Sequence, residues 1–222
     1  MVKKKTVKKA IKKSTRKELK KERRIEKELL YIFLFLGLLV VVFLISSSAF
    51  TSLNRVEYEG LIFTKEKFGD ILVFHYSYSF RAPTGNVINY NMYLRNDPSM
   101  NEIPIEGEID LNGRTIYITL DTSYLTECSE SSAAIGSLSG FFRDNQFVVK
   151  SGNMDFVEAF IHNQAHVTCE NTPNKNVVQI FRGNETEIFS EGQCASIVIG
   201  PDCQVLKSVE KYQVHAFLDS QR

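Results

Sequence analysis

Twenty-two consecutive residues, Leu29 to Phe50 (LLYIFLFLGLLVVVFLISSSAF), carry no charge. A helix rises about 1.5 Å per residue, so roughly 20 residues cross a hydrocarbon core about 30 Å thick. Core helices of soluble proteins confine their apolar residues to one face, whereas here they go all round. A cleavable signal peptide has a short basic region, about 7–15 apolar residues and small residues at the cut. Ser46-Ser47-Ser48-Ala49 would supply the small residues, but 28 residues precede the run and it is long enough to span. The sequence therefore predicts an uncleaved single-pass anchor over 29–50, between a basic arm (1–28) and a folded domain (51–222).

Charge divides the chain at that run. Residues 1–28 hold 14 Lys/Arg and 4 Glu, a net +10, and residues 51–222 hold 13 Lys/Arg and 22 Asp/Glu, a net −9. Basic residues flanking a span stay in the cytoplasm. The expected orientation is N-terminus cytoplasmic and C-terminal domain outside the cell membrane.

The basic arm is rich in helix formers, and Glu18, Glu22 and Glu26 stand four apart among lysines and arginines, which predicts a helix. Its lysines offer contacts to the lipid bilayer and its anionic headgroups beyond the topology signal itself. Nucleic acid is disfavoured as a partner, because no aromatic residue is interleaved for base stacking.

All four cysteines (Cys128, Cys169, Cys194, Cys203) fall on the expected outer side, where thiols oxidise, and an even number fits two disulfides. Three connectivities exist. Cys194–Cys203 is favoured because it closes a short loop holding Gly200-Pro201, which leaves Cys128 for Cys169. A zinc site is disfavoured, since no Cys-x-x-Cys or Cys/His spacing of that type is present.

In the outer domain, Val56 to Thr64 is an apolar stretch leading to a polar run with a turn signal, Lys65 to Asp70. Ile71 to Phe80 alternates, with Leu72, Phe74, Tyr76, Tyr78 and Phe80 on one face of a strand. Ala82-Pro83-Thr84-Gly85-Asn86 breaks it, and Val87 to Arg95 is a second strand with Ile88, Tyr90, Met92 and Leu94 aligned. Ile105–Leu111 and Arg114–Leu120 flank Asn112-Gly113, which predicts a two-residue hairpin with Ile109 and Ile116 on opposite strands. Glu130 to Asn145 has helical spacing, with Ala134, Leu138 and Phe141/Phe142 on one side. A short helix over 155–163, capped by Asn153, would bury Phe156, Val157, Phe160 and Ile161. Strands follow at 167–169, 177–182, 187–189 and 195–199. Asp202 is expected to cap a last helix with Val205, Val209, Tyr212 and Ala216 on its apolar side. The fold class is α+β: after the basic segment and the transmembrane helix, a mostly antiparallel sheet with helices on one face.

Catalytic constellations are weak. His162 and His166 stand four apart, but Asn163 occupies the place of a metalloprotease base and the helix is expected to end there. Gly136-Ser137-Leu138-Ser139-Gly140 has leucine where a nucleophile elbow needs serine. Cys128 beside a histidine would be a nucleophile only if it were free. Arg95-Asn96-Asp97-Pro98 offers a carboxylate- or phosphate-binding arginine, although Asp-Pro also reads as turn chemistry. Asn184-Glu185-Thr186 makes Asn184 a candidate glycosylation acceptor on an expected turn. No catalytic, metal or cofactor-binding residue is assigned, and no cofactor is expected.

Tyr90-Asn-Met-Tyr-Leu-Arg-Asn-Asp-Pro98, Ile103-Pro-Ile-Glu-Gly107, Val167-Thr-Cys169 and Val209-Glu-Lys211 resemble uncharacterised archaeal single-pass membrane-anchored proteins. The resemblance implies an anchored outer domain and no activity. The function expected is thus a non-catalytic module that binds an extracytoplasmic protein or envelope component. The alternative is an envelope enzyme with dispersed catalytic residues.

Overall fold

The computed structural model describes residues 30–47, 53–81 and 85–221, so the expected helix of the basic arm and the break at 82–84 lie outside the described residues. Two compact units result, Met1–Asn54 and Arg55–Arg222. The first contains helix α1 (Leu30–Ser47), with mean hydropathy 2.8 and none of it buried. It is long and apolar enough to cross a membrane.

The second unit is α+β and contains two sheets. The first is an antiparallel meander of β1 (Arg55–Tyr58), β2 (Leu61–Phe68), β3 (Ile71–Arg81) and β4 (Val87–Leu94). Two-residue turns join its first three strands. Glu59 and Gly60 both have positive φ (51° and 80°), as a type I′ turn demands, and Gly69 opens the next turn at φ 62°. Most of the alternation read in the sequence is present: Phe74, Met92 and Leu94 are buried and Tyr76, Tyr78 and Tyr90 pack against the core, but Leu72 is exposed and its neighbour Val73 is buried instead.

The second sheet is mixed. Its strands are β5 (Ile105–Glu106), β6 (Thr115–Leu120), β7 (Val148–Asn153), β8 (Ala165–His166), β9 (Asn176–Arg182), β10 (Glu187–Glu191) and β11 (Cys194–Ile199), in the order β5-β10-β11-β9-β6-β7-β8. Only β10–β11 is antiparallel. The parallel pairs follow from crossover connections through α2 (Thr122–Leu125) and α3 (Ser131–Asp144), and then through α4 (Phe156–Ile161). β11 lies between β9 and β10, so the connection 183–186 crosses over its end. Gly183 permits this, since a Cβ there would stand 2.1 Å from Val198 Cγ1.

The last helix, α5 (Val205–Asp219), pairs with α3 and lies between the sheets. Phe217 packs on Tyr76 and Tyr78 of the meander, with ring centroids 5.6 and 4.2 Å apart, while α5 also meets β10 and β11. Val205, Val209, Tyr212 and Ala216 are buried as expected.

Several expectations are corrected, and the strand expected at 167–169 is replaced by β8 at Ala165–His166. Asn112-Gly113 is not a hairpin tip: β5 pairs with β10 and β6 with β7 and β9. Buried Asn176 captures that turn instead, accepting from Asn112 N and donating to Asn112 O and Thr115 O. Asp202 does not cap α5, because it accepts from Thr186 Oγ1 and Gln204 Nε2. Asp155, not Asn153, caps α4 by accepting from Val157 N and Glu158 N. The expected cysteine partners are also exchanged. Cys128 meets Cys203 (Cα–Cα 5.5 Å) and Cys169 meets Cys194 (5.6 Å), both within disulfide range. Cys194 and Cys203 cannot join because β11 runs extended from one almost to the other.

Candidate functional site

An open cleft of about 350 Å³ lies where the parallel strands β6, β7 and β9 begin. Register builds it: Tyr117 of β6 sits opposite Lys150 of β7, and Lys175 immediately precedes β9. The Lys150 and Lys175 Nζ atoms stand 5.7 and 5.2 Å from the Tyr117 ring centroid. Cations are drawn to the negative face of an aromatic ring, which helps hold each side chain against Tyr117 from its own neighbouring strand. Arg114 lies on the adjoining turn and is exposed. Among the described residues, no carboxylate forms an ion pair with any of the three.

The cleft's wall is set by one side chain. Asn176 is 1% exposed and ties the turn at 112–115 with three hydrogen bonds. Arg114 O accepts from Val148 N. Backbone acceptors that would repel an anion are thereby engaged within the protein, and the cleft presents cations.

Other polar groups serve the fold. Glu210 of α5 is 3% exposed and accepts from Arg95 N, Asn96 N and Asn96 Nδ2. Burial pushes its carboxyl up, against the downward pull of those donors and of Arg95. Lys211 donates to Tyr58 OH and Asn101 O, while Tyr58 OH lies 3.1 Å from His215 Nε2. On the meander's outer face, His75 Nδ1 meets Glu66 (2.6 Å) and Nε2 meets Asn91 (3.0 Å). Both ring nitrogens of His75 are thus held by side chains of the meander.

The candidates named from sequence are dispersed. His162 ends α4 and contacts Glu158 (3.2 Å), whereas His166 on β8 contacts Met154 O and Asn171. Among the described residues no group of three His, Cys, Asp or Glu could hold a metal ion. Ser137 lies inside α3 and hydrogen-bonds Gln213. Cys128 is paired with Cys203. Arg95 lies 3.8 Å from Glu130, and Asp97 caps the 3₁₀ turn Pro98–Met100, so turn chemistry accounts for that segment. Asn184 is exposed on the connection between β9 and β10.

The residues expected to bury α4 are on the surface: Phe156, Val157, Phe160 and Ile161 are 61–80% exposed, and only Ala159 is buried. Sequence reasoning did not find the cleft, since its cations and ring are spread from Arg114 to Lys175 with no local motif. A search of family models, curated proteins and solved structures found no match to this chain.

Proposed function

We propose that the chain is a single-pass membrane protein with its N-terminus in the cytoplasm. Its unit Arg55–Arg222 acts outside as a non-catalytic binding module for an envelope component or an extracytoplasmic protein. The observation that carries this reading is the cysteine arrangement: all four lie in that unit, each at bonding distance from another. Such pairing belongs to oxidising compartments. The +10 flank of the apolar helix supports the same orientation. External protease on intact cells should digest residues beyond about 55 and leave the basic arm protected. A membrane-impermeant maleimide should label the four thiols only after reduction. Protection of the folded unit, or labelling without reductant, sinks the placement. A mature chain starting near Phe50 would replace the anchor by a signal peptide.

A further inference from the structure

We propose that the cleft beside Tyr117 binds a phosphate- or sulfate-bearing ligand, drawn in by the three cations of its lining, Arg114, Lys150 and Lys175. This deepens the binding-module reading by naming the ligand chemistry, and it rests on that reading only for the compartment in which the ligand is met.

Lys150 on β7 and Lys175 just before β9 flank Tyr117 from the strands on either side of β6, and both line the same cleft as Arg114. Residues 51–222 contain 22 acids against 13 bases, yet none of the described acids pairs with these two lysines or with Arg114. An anion entering the cleft is attracted by cations from more than one wall, with no paired acid to compete. Lysine binds phosphate as a point charge, while arginine offers a planar fork of donors. A tetrahedral oxyanion attached through one oxygen presents three others to a lining that holds three cations. A carboxylate has two and leaves a cation over. The engaged carbonyls of Asn112, Arg114 and Thr115 keep competing acceptors away. Such a group arrives either on a soluble ester or on a lipid headgroup, and both present the same chemistry.

Residue-resolved amine acylation of the full chain tests this, because it separates the cleft from the lysines of the basic arm. The protein is held in phosphatidylcholine nanodiscs at constant ionic strength, with pyrophosphate, glucose 6-phosphate or sulfate as soluble probes. A parallel set uses discs containing phosphatidylglycerol without a soluble probe. At about ten times Kd, acylation of Lys150 and Lys175 should fall about tenfold, with exposed Lys67 unchanged. Protection by the soluble probes assigns a soluble ester, and protection only in anionic discs assigns a headgroup. Either result sustains the proposal. Unchanged acylation in both sets overturns it, as does equal protection of Lys67. Calorimetry on the Lys150→Gln/Lys175→Gln chain should show binding weakened at least tenfold with Tm unchanged, and undiminished affinity would likewise overturn the assignment. The work uses purified protein, so its failure leaves the topology experiment standing.

Discussion

Asn176 and Glu210 are buried polar side chains whose partners lie far away in sequence. Asn176 reaches back to Asn112 and Thr115, and Asn176→Ala would strand the groups it satisfies. Leaving a buried donor or acceptor unmade costs about 1–3 kcal/mol, so the denaturant midpoint should fall accordingly. Amide exchange at Asn112 should speed up; an unchanged rate would show that the turn holds itself. Glu210 binds its proton more readily folded than unfolded, because burial outweighs its donors. A raised folded pKa contributes stability below the ordinary value of 4.5, and that contribution is lost as pH rises through the folded pKa. Glu210→Gln should therefore flatten the pH dependence of unfolding above about 4.5, whatever its overall cost. Equal slopes in both proteins would contradict this.

Helices α4 and α5 depart from the one-sided amphipathic pattern in opposite ways. α5 is buried nearly all round because a sheet lies on each side of it, which is why Ser208, Glu210 and Gln213 are inside and hydrogen-bonded. α4 serves a crossover at the sheet's edge and buries only Ala159. Phe160, 80% exposed, should tolerate change: Phe160→Ser is expected to move stability by no more than about 0.5 kcal/mol. Phe142, fully buried on α3 against Phe141, Phe147 and Tyr212, should cost about 3–5 kcal/mol as Phe142→Ala. Urea unfolding of both variants checks the contrast, and comparable losses would mean that α4 is covered in the native state.

Across the whole folded unit, the cysteine pairs tie remote segments together. Cys128–Cys203 joins the approach to α3 with the turn before α5, 75 residues on. Cys169–Cys194 fastens the loop after β8 to the start of β11, 25 residues on, and Cys169 N also donates to Gln179 Oε1. Non-reducing peptide mapping should return 128–203 and 169–194. Replacing Cys128 and Cys203 together by alanine should lower stability by about 2–5 kcal/mol, chiefly by releasing the unfolded chain. A 194–203 peptide would refute the arrangement.

Properties carried by contiguous residues were legible in the sequence: the length of the apolar run, the charge on its flanks, the alternation of β3 and β4, and the buried stripe of α5. Each depends on spacing along one element, where side-chain direction repeats every two or 3.6 residues. Pairing was not legible. Asn112-Gly113 has the composition of a hairpin turn, but its flanking segments find β10, β7 and β9, and a distant asparagine satisfies the turn. The insertion of β11 between β9 and β10 carries Cys194 away from Cys203 and toward Cys169. The same parallel register brings Tyr117, Lys150 and Lys175 into one cleft. These choices depend on contacts between residues tens of positions apart, so tertiary packing alone decided them.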